Sequence, residues 1–91
     1  MGEVTLTEFF AKWCPFCQAQ NKILDELERD MKGKVEFVRI DIDDNRDLLN
    51  GFKIDGVPTL FVLKDRSIFR EYSGLTQKSE LELTINRALY L

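Results

Sequence analysis

The sequence predicts an α/β fold in which four strands form a mixed sheet with helices on both faces. Strand-like and helix-like patterns follow one another in the order β-α-β-α-β-β-α. The first strand-helix-strand unit has the length of a right-handed parallel crossover, and a short link joins the last two strands as an antiparallel hairpin. At 91 residues the chain is long enough for one domain, residues 1–91, and too short for a second.

The first strand is predicted over Val4 to Ala11, where strand-favouring residues are nearly continuous and apolar side chains occur on both faces. This pattern is typical of a central strand. Glu8 interrupts the pattern, and strand parity places it on the same face as Leu6 and Phe10. We expect the Glu8 carboxyl to be at least partly buried; the alternative is a solvated side chain on an edge strand.

A long helix is predicted from Pro15, because proline is favoured at the first helical position. Cys14 then occupies the N-cap, and Gly33 ends the helix in the left-handed conformation that a C-terminal cap requires. Apolar residues recur along this helix at helical spacing and are expected to face the core: Phe16, Ala19, Ile23, Leu24, Leu27 and Met31.

The middle of the chain predicts a second strand and a short helix. Lys34 to Ile42 is rich in strand-favouring residues and includes Arg39. Residues 43–45, Asp-Asp-Asn, then offer N-caps for a short helix over Arg46 to Phe52.

The last third predicts a hairpin and a final helix. Thr59 to Leu63 forms the third strand, which we expect to run parallel to the first two. Asp65-Arg66 reverses the chain into a fourth strand over Ile68 to Tyr72, although this pair is a weaker turn signal than Asn-Gly. Thr76 is expected to cap the last helix.

The two cysteines, Cys14 and Cys17, lie where the first strand delivers the chain to the helix. This is the carboxyl end of the sheet, where folds of this kind place their sites. A helix N-terminus stabilises the thiolate, which is the reactive form of cysteine. Cys17 follows one helical turn later, so the two sulfurs can form a reversible disulfide.

Three other interpretations of the cysteine pair compete with this one. A structural zinc site needs four ligands, whereas the chain has two Cys and no His, so no complete metal site is expected within one chain. A structural disulfide that closes so short a loop adds little stability. Two incidental buried thiols are the third interpretation, which the neighbouring Trp13 and Pro15 disfavour.

Composition limits which binding partners and which cellular compartment are expected for the protein. Thirteen Lys and Arg against 16 Asp and Glu give a net charge of −3 without a basic patch, which argues against nucleic acid or an anionic membrane as partner. The N-terminus lacks the basic start, apolar core and cleavage site of a signal peptide, so we expect a cytoplasmic protein; a processed secreted form is the alternative.

The chain resembles the thioredoxin superfamily in a Trp-Cys-x-x-Cys segment after the first strand, a downstream Val-Pro-Thr and this order of elements. The resemblance runs from about Val4 to Leu91 and describes a minimal thioredoxin-like fold, without the extra strand and helix that thioredoxins carry in front. It implies thiol–disulfide exchange with protein substrates, no metal or organic cofactor, and a partner reductase or oxidant that regenerates the dithiol. We expect a monomer.

The resemblance also implies roles for single residues. Cys14 matches the exposed nucleophile, Cys17 the resolving thiol, and Trp13 the aromatic side chain that shields them. Pro58 matches the cis-proline of the family, whose bond lets the backbone of the preceding residue, Val57, pair with an extended substrate.

Three further positions match the family. Gly74 matches a glycine that lets the substrate approach from the other side. Glu8 matches a buried acid, and Arg39 falls where the family has a lysine that faces this acid. Burial is expected to raise the pKa of Glu8, so that its carboxylate takes the proton of Cys17 before the resolving attack.

The residues between the cysteines, Pro15 and Phe16, differ from the Gly-Pro of thioredoxins and are closer to the Pro-Tyr of glutaredoxins. Both are expected to contact the substrate. A glutaredoxin-like enzyme that uses glutathione is therefore an alternative, although residues 73–77, SGLTQ, differ from the Gly-Gly-x-x-Asp segment that binds glutathione in that family. A less favoured alternative is a non-enzymatic adaptor, or a dimer that holds an iron–sulfur cluster between two cysteine pairs.

Overall fold

The computed structural model describes residues 3–91. Four strands, two α-helices and one 3₁₀ helix follow one another in the predicted order. Their bounds are β1 Val4–Phe10, α1 Pro15–Asp30, β2 Glu36–Asp41, the 3₁₀ helix Arg46–Gly51, β3 Thr59–Lys64, β4 Ser67–Ser73 and α2 Lys78–Leu89.

The four strands form one mixed sheet in the order β2-β1-β3-β4, so β1 is central as predicted. β1 and β2 run parallel, and β4 runs antiparallel to β3. The prediction that the third strand is parallel to the first is wrong, because β3 pairs with β1 in the antiparallel direction.

The path of the chain between β2 and β3 accounts for this difference. A parallel β3 would require the chain to return about 20 Å, the length of the six-residue β2, to the other end of the sheet. The chain instead stays at the carboxyl end of β1. There the Ile42 amide donates to the Phe10 carbonyl at 2.9 Å, and Thr59 enters the sheet opposite Phe9.

Both α-helices pack on one face of the sheet, and the 3₁₀ helix covers part of the other. The main core lies under the α-helices and contains Val4, Leu6, Leu24, Leu27, Met31, Leu60, Val62, Tyr72, Leu81, Ile85 and Ala88. On the opposite face, the rings of Phe9, Phe52 and Phe61 pack with centroids 5.1–5.8 Å apart. Helices therefore occur on both faces, as predicted, with the longer ones on the same side.

The start and end of α1 match the sequence prediction, but its buried face differs. Cys14 is the N-cap and Pro15 the first helical residue, and Gly33 has a φ of +83° just beyond the helix. The buried side chains within α1 are Cys17, Gln20, Leu24 and Leu27. Phe16 and Ala19 precede this row by one residue, which rotates them by about 100° into solvent, so their assignment to the core is wrong.

Three predicted boundaries and caps are corrected by the structure. β2 is shorter than the predicted strand over residues 34–42, and the short helix is a 3₁₀ helix without a side-chain cap. Thr76 does not cap α2, because Gln77 occupies the N-cap position. The Thr76 hydroxyl instead donates to the carbonyl of Gly74 at 3.1 Å.

The β3–β4 hairpin turns through two residues in the left-handed region, Asp65 at φ +52° and Arg66 at φ +71°. This is the backbone of a type I′ turn, in which both central residues require positive φ. Asp65 also exchanges hydrogen bonds with Glu3, because its amide donates to the Glu3 carbonyl and its carboxylate accepts from the Glu3 amide. The hairpin is thus anchored to the start of β1.

Relieving the left-handed strain in the turn should stabilise the fold. A residue with a Cβ in this region costs about 1–2 kcal/mol, so Arg66→Gly is expected to raise the free energy of unfolding by about 0.5–1 kcal/mol after the entropic cost of glycine. Gly33→Ala is the matched opposite change, because it adds a Cβ at φ +83° in open space. Urea denaturation would measure both, and a destabilised Arg66→Gly variant would contradict the strain argument.

Candidate active site

The first turn of α1 holds the sulfur of Cys14 in a capping position. Cys14 has an extended backbone, with φ −94° and ψ 112°, and its Sγ accepts a hydrogen bond from the Cys17 amide at 3.2 Å. This amide is one of the helix N-terminal donors that a side chain must satisfy. The Cys17 N–H points towards the Cys14 sulfur, so it also stabilises negative charge on that sulfur.

Both cysteines are free thiols and both are buried. Cys17 is completely inaccessible and Cys14 is 4% exposed. The expectation that Cys14 is exposed is therefore wrong, although a small part of its surface is accessible. The reason is a small apolar cluster, in which Phe10, Ala11, Ile42 and Val57 surround the two sulfurs. A substrate sulfur therefore reaches Cys14 by a narrow approach, and Cys17 only after Cys14.

The segment before β3 lies beside Cys14. The Val57–Pro58 peptide bond is cis, as the resemblance implied. The Cys14 thiol donates to the Val57 carbonyl at 3.6 Å, and the Gly74 amide donates to the Pro58 carbonyl at 2.8 Å. The structure therefore brings together four of the predicted site residues, which come from three separate stretches of the chain.

Two large aromatic side chains stand in solvent next to the cysteines. Trp13 is 66% exposed and Phe16 is 64% exposed. The Trp13 indole Nε1 donates to Asp43 Oδ2 at 3.0 Å, which fixes the ring at the side of the site. Pro15 is also exposed. Exposed apolar groups of this size beside a reactive sulfur are typical of a protein-docking surface.

A shallow groove with a volume of about 240 Å³ runs beside Val57. The residues that line it are Trp13, Ile42, Leu49, Ile54, Asp55, Gly56 and Val57. Of these, the sequence analysis identified only Trp13 and Val57 as site residues. Of the others, Ile42 directly follows β2, Leu49 belongs to the 3₁₀ helix, and Ile54, Asp55 and Gly56 belong to the loop before β3.

Glu8 is completely buried, which confirms the interpretation of an interior acid. Among the residues that the structure describes, neither of its carboxyl oxygens has a hydrogen-bond partner. The loss of water raises the pKa of Glu8 to about 7, against a partial lowering by the charge of Arg39. At neutral pH the carboxyl is therefore poised between its neutral and ionised forms.

Arg39 lies opposite Glu8 in the register of β1 and β2, but its guanidinium pairs elsewhere. It forms ion pairs with Asp25 at 2.8 Å and Glu28 at 3.0 Å, both on α1. The two residues are therefore neighbours in the sheet, as expected, but the Arg39 side chain does not form an ion pair with Glu8. The Asp25 carboxylate in turn raises the pKa of Glu8.

Glu8 and Cys17 are both buried between β1 and α1, and the Cys17 thiol is the less acidic of the two. Burial, the hydrogen bond with Cys14 and the negative charges of Cys14 and Glu8 raise the pKa of Cys17 to about 12, against a lowering by the Ala11 backbone. Cys17 is therefore a thiol at neutral pH, and it needs a base before it can act as a nucleophile.

Gln20 is a site residue that the sequence analysis missed. It is completely buried one turn after Cys17, and its amide makes two hydrogen bonds to the backbone of Thr76. Its Nε2 donates to the Thr76 carbonyl at 3.0 Å, and its Oε1 accepts from the Thr76 amide at 2.8 Å. Gln20 thus ties α1 to the loop that carries Gly74. The available signal was its helical spacing from Cys17, Leu24 and Leu27, but a polar side chain at such a position is expected to face solvent.

Comparisons with known proteins identify the family of this chain. The Thioredoxin family model matches residues 2–87. Thioredoxin from Bacillus subtilis is 34% identical over 86 residues, which cover 94% of this chain and 83% of that protein. Thioredoxin 2 from Plasmodium berghei is 36% identical over 81 residues, which cover 89% of this chain and 52% of that protein.

Solved structures of thioredoxins share the fold of this chain. A malaria-parasite thioredoxin-2, described as a component of the protein secretion machinery, superposes with a TM-score of 0.90 and 26% identity over 94% of this chain and 84% of that one. A mutant thioredoxin from Halobacterium salinarum superposes with a TM-score of 0.88 and 29% identity, covering 98% of this chain and 77% of that one.

The raised pKa of Glu8 predicts how stability depends on pH. Below about pH 4.5 the carboxyl is protonated in both the folded and the unfolded state; between 4.5 and 7 only the unfolded state releases the proton, so folding is penalised as pH rises. The free energy of unfolding should fall by up to about 3 kcal/mol across this interval.

Denaturation of the wild type and of Glu8→Gln at a series of pH values would isolate this effect. The stability difference between the two proteins should change in favour of Glu8→Gln as pH rises from about 4.5 to 7 and then level off. Glu36→Gln, at an exposed position, serves as control. A difference that is constant with pH would contradict the raised pKa.

Removing the Gln20 amide should release the loop after β4. Gln20→Leu leaves the amide and carbonyl of Thr76 without their partner, so we expect a loss of about 2–4 kcal/mol in stability. Thr84→Val is the matched control, because it removes the buried hydrogen bond between Thr84 and Tyr72 away from this loop. Only Gln20→Leu should speed hydrogen exchange at the Thr76 amide beyond its global destabilisation, and equal protection in both variants would contradict the assignment.

Proposed function

This chain belongs to the thioredoxin family and is a thiol–disulfide oxidoreductase, and we propose that Cys14 is its nucleophile and Cys17 its resolving thiol. One observation carries these roles: Cys14 Sγ accepts the Cys17 amide at the start of α1 and lies next to the Val57 carbonyl. Only this sulfur has both a donor that stabilises its anion and a path, however narrow, to solvent.

The first step transfers one bond between sulfurs. The Cys14 thiolate attacks one sulfur of a substrate disulfide, the substrate S–S bond breaks, and a mixed disulfide forms between Cys14 and the substrate. The other substrate sulfur leaves as a thiolate and takes a proton from water. No electrons are lost or gained overall, because one disulfide has replaced another.

The second step requires Cys17 to lose its proton. The Glu8 carboxylate accepts this proton in the buried layer between β1 and α1; its pKa of about 7 keeps part of the population ionised at neutral pH. The Cys17 thiolate then attacks Cys14 Sγ, the mixed disulfide breaks, and the second substrate thiolate leaves. The enzyme dithiol has become a disulfide, and the substrate has gained two electrons.

Substrate binding uses the groups around Cys14. When Cys14 enters a mixed disulfide, its thiol no longer donates to the Val57 carbonyl, which becomes free to accept a backbone amide of the substrate. Gly74 leaves room on the opposite side, since it carries no side chain. Trp13, Pro15 and Phe16 provide exposed apolar contact area beside the sulfur.

The size and charge of the groove favour a protein over glutathione. At about 240 Å³ the groove is smaller than the roughly 300–1,000 Å³ of sites that enclose a small molecule, so it fits one side chain of a larger partner. The Asp55 carboxylate lies at the wall of the groove and the Asp43 carboxylate holds Trp13 beside it, so both repel the two carboxylates of glutathione. Complete burial of Cys17 also disfavours a cluster shared between two chains.

We further infer that residues 1–91 form one domain of a monomeric cytoplasmic protein, which a partner reductase or oxidant regenerates. A close dithiol and a net charge of −3 without a basic patch support this inference. In residues 3–91 the structure contains no helix of the length and apolarity that crossing a bilayer requires.

Substitution of each cysteine tests the assignment of roles. Cys17→Ser should accumulate mixed disulfides with protein substrates, because the resolving step is lost, whereas Cys14→Ser should form none. Both variants should lose catalytic turnover of insulin disulfides with dithiothreitol as reductant. Intact-protein mass spectrometry after mixing with an oxidised substrate would detect the adducts. Stable adducts on Cys14→Ser, or none on Cys17→Ser, would reverse the roles.

A further inference from the structure

The groove beside Val57 contains a single ionisable side chain, Asp55, at its wall. The rest of its lining is apolar or glycine: Trp13, Ile42, Leu49, Ile54, Gly56 and Val57. A groove with an apolar floor and one carboxylate is suited to a side chain that has an apolar stem and a cationic head. Lysine and arginine are the two residues of this kind.

The groove begins next to the reacting sulfur. Trp13 directly precedes Cys14 in the chain, and the Val57 carbonyl is 3.6 Å from Cys14 Sγ. A substrate attached to Cys14 through its own cysteine therefore places its neighbouring residues at the groove mouth. The groove holds about one large side chain, and because it begins beside Cys14, its occupant belongs to a residue within two positions of the substrate cysteine.

The surroundings of the groove carry negative charge, as Asp55 does. Asp43 holds the Trp13 indole at 3.0 Å, and the adjoining depression over residues 43–48 is lined by three aspartates and one arginine, Arg46. Lys53 precedes Ile54 but does not line the groove. Lys12 is 3.8 Å from Asp41, outside the groove. The carboxylates outnumber the cations on this side of the site, so a substrate cation is attracted and a substrate carboxylate is repelled.

We propose that this groove selects protein disulfides that carry a lysine or arginine within two residues of the attacked cysteine, with Asp55 as the specificity-determining residue. The proposal rests on the proposed function and names its substrate class. The side-chain stem packs on Trp13 and Ile54, and the cationic head pairs with the Asp55 carboxylate. The Trp13 ring adds a cation–π attraction for the same head.

The preference should be moderate and sensitive to salt. Asp55 is exposed, and a pair between exposed charges is weak and screened by ions. We therefore expect about a tenfold difference in kcat/KM between a lysine-flanked and a glutamate-flanked substrate at low ionic strength, with an alanine-flanked substrate between them. At about 0.5 M salt the difference should shrink to about twofold.

The test uses three disulfide peptides that are identical except for Lys, Ala or Glu beside the cysteine. Single-turnover reduction by the dithiol form of the protein, at substrate concentrations below saturation, gives kcat/KM for each. Asp55→Asn should reduce the lysine-to-glutamate ratio about threefold, and Asp55→Lys should invert it. Glu36→Gln is the matched control, because it removes one exposed carboxylate at the other end of the sheet and should leave the ratio unchanged.

The outcomes separate the two proposals. Equal kcat/KM for the three peptides, with normal turnover of insulin, would overturn the preference and leave the proposed function standing. An equal effect of Glu36→Gln and Asp55→Asn would also overturn it, since net charge would then be the cause. Absence of reduction of every substrate would contradict the proposed function and this inference together.

Discussion

The layer between β1 and α1 excludes water, and the chemistry of the site depends on this exclusion. The layer buries the carboxyl of Glu8 and the thiol of Cys17 completely. The pKa of both groups rises because their charged forms lose hydration, to about 7 for Glu8 and about 12 for Cys17. If water entered the layer, Glu8 would be an ordinary carboxylate at neutral pH, which is a weaker base. The burial that prevents this lowers the stability of the fold.

The site is held together by contacts between segments that are distant in the chain. Cys14 meets the Val57 carbonyl, the Gly74 amide meets the Pro58 carbonyl, and the Gln20 amide binds the backbone of Thr76. These contacts connect α1, the start of β3 and the loop after β4. The helix that carries both sulfurs is therefore fixed to the two backbone segments between which a substrate chain must lie. Displacement of either segment would change the approach to Cys14.

Local patterns in the sequence predicted the parts of the site that local physics controls. Proline after Cys14 specified the helix start, and strand parity placed Glu8 inside. The antiparallel entry of β3 was not predictable in this way, because it depends on the path of residues 42–58, which stay at the carboxyl end of β1. The burial of Cys14 and the partners of Arg39 are tertiary contacts, and a polar residue such as Gln20 reads as solvent-facing until its backbone partner is known.

The mechanism depends above all on the burial of Glu8, which raises its pKa to near neutral pH so that its carboxylate can take the proton of Cys17. The most direct test is an NMR titration of the Glu8 side-chain carboxyl carbon in the reduced protein. The account predicts a midpoint of about 7. A midpoint near 4.5, the value of a solvated glutamate, would show that water reaches the carboxyl and would contradict the claim.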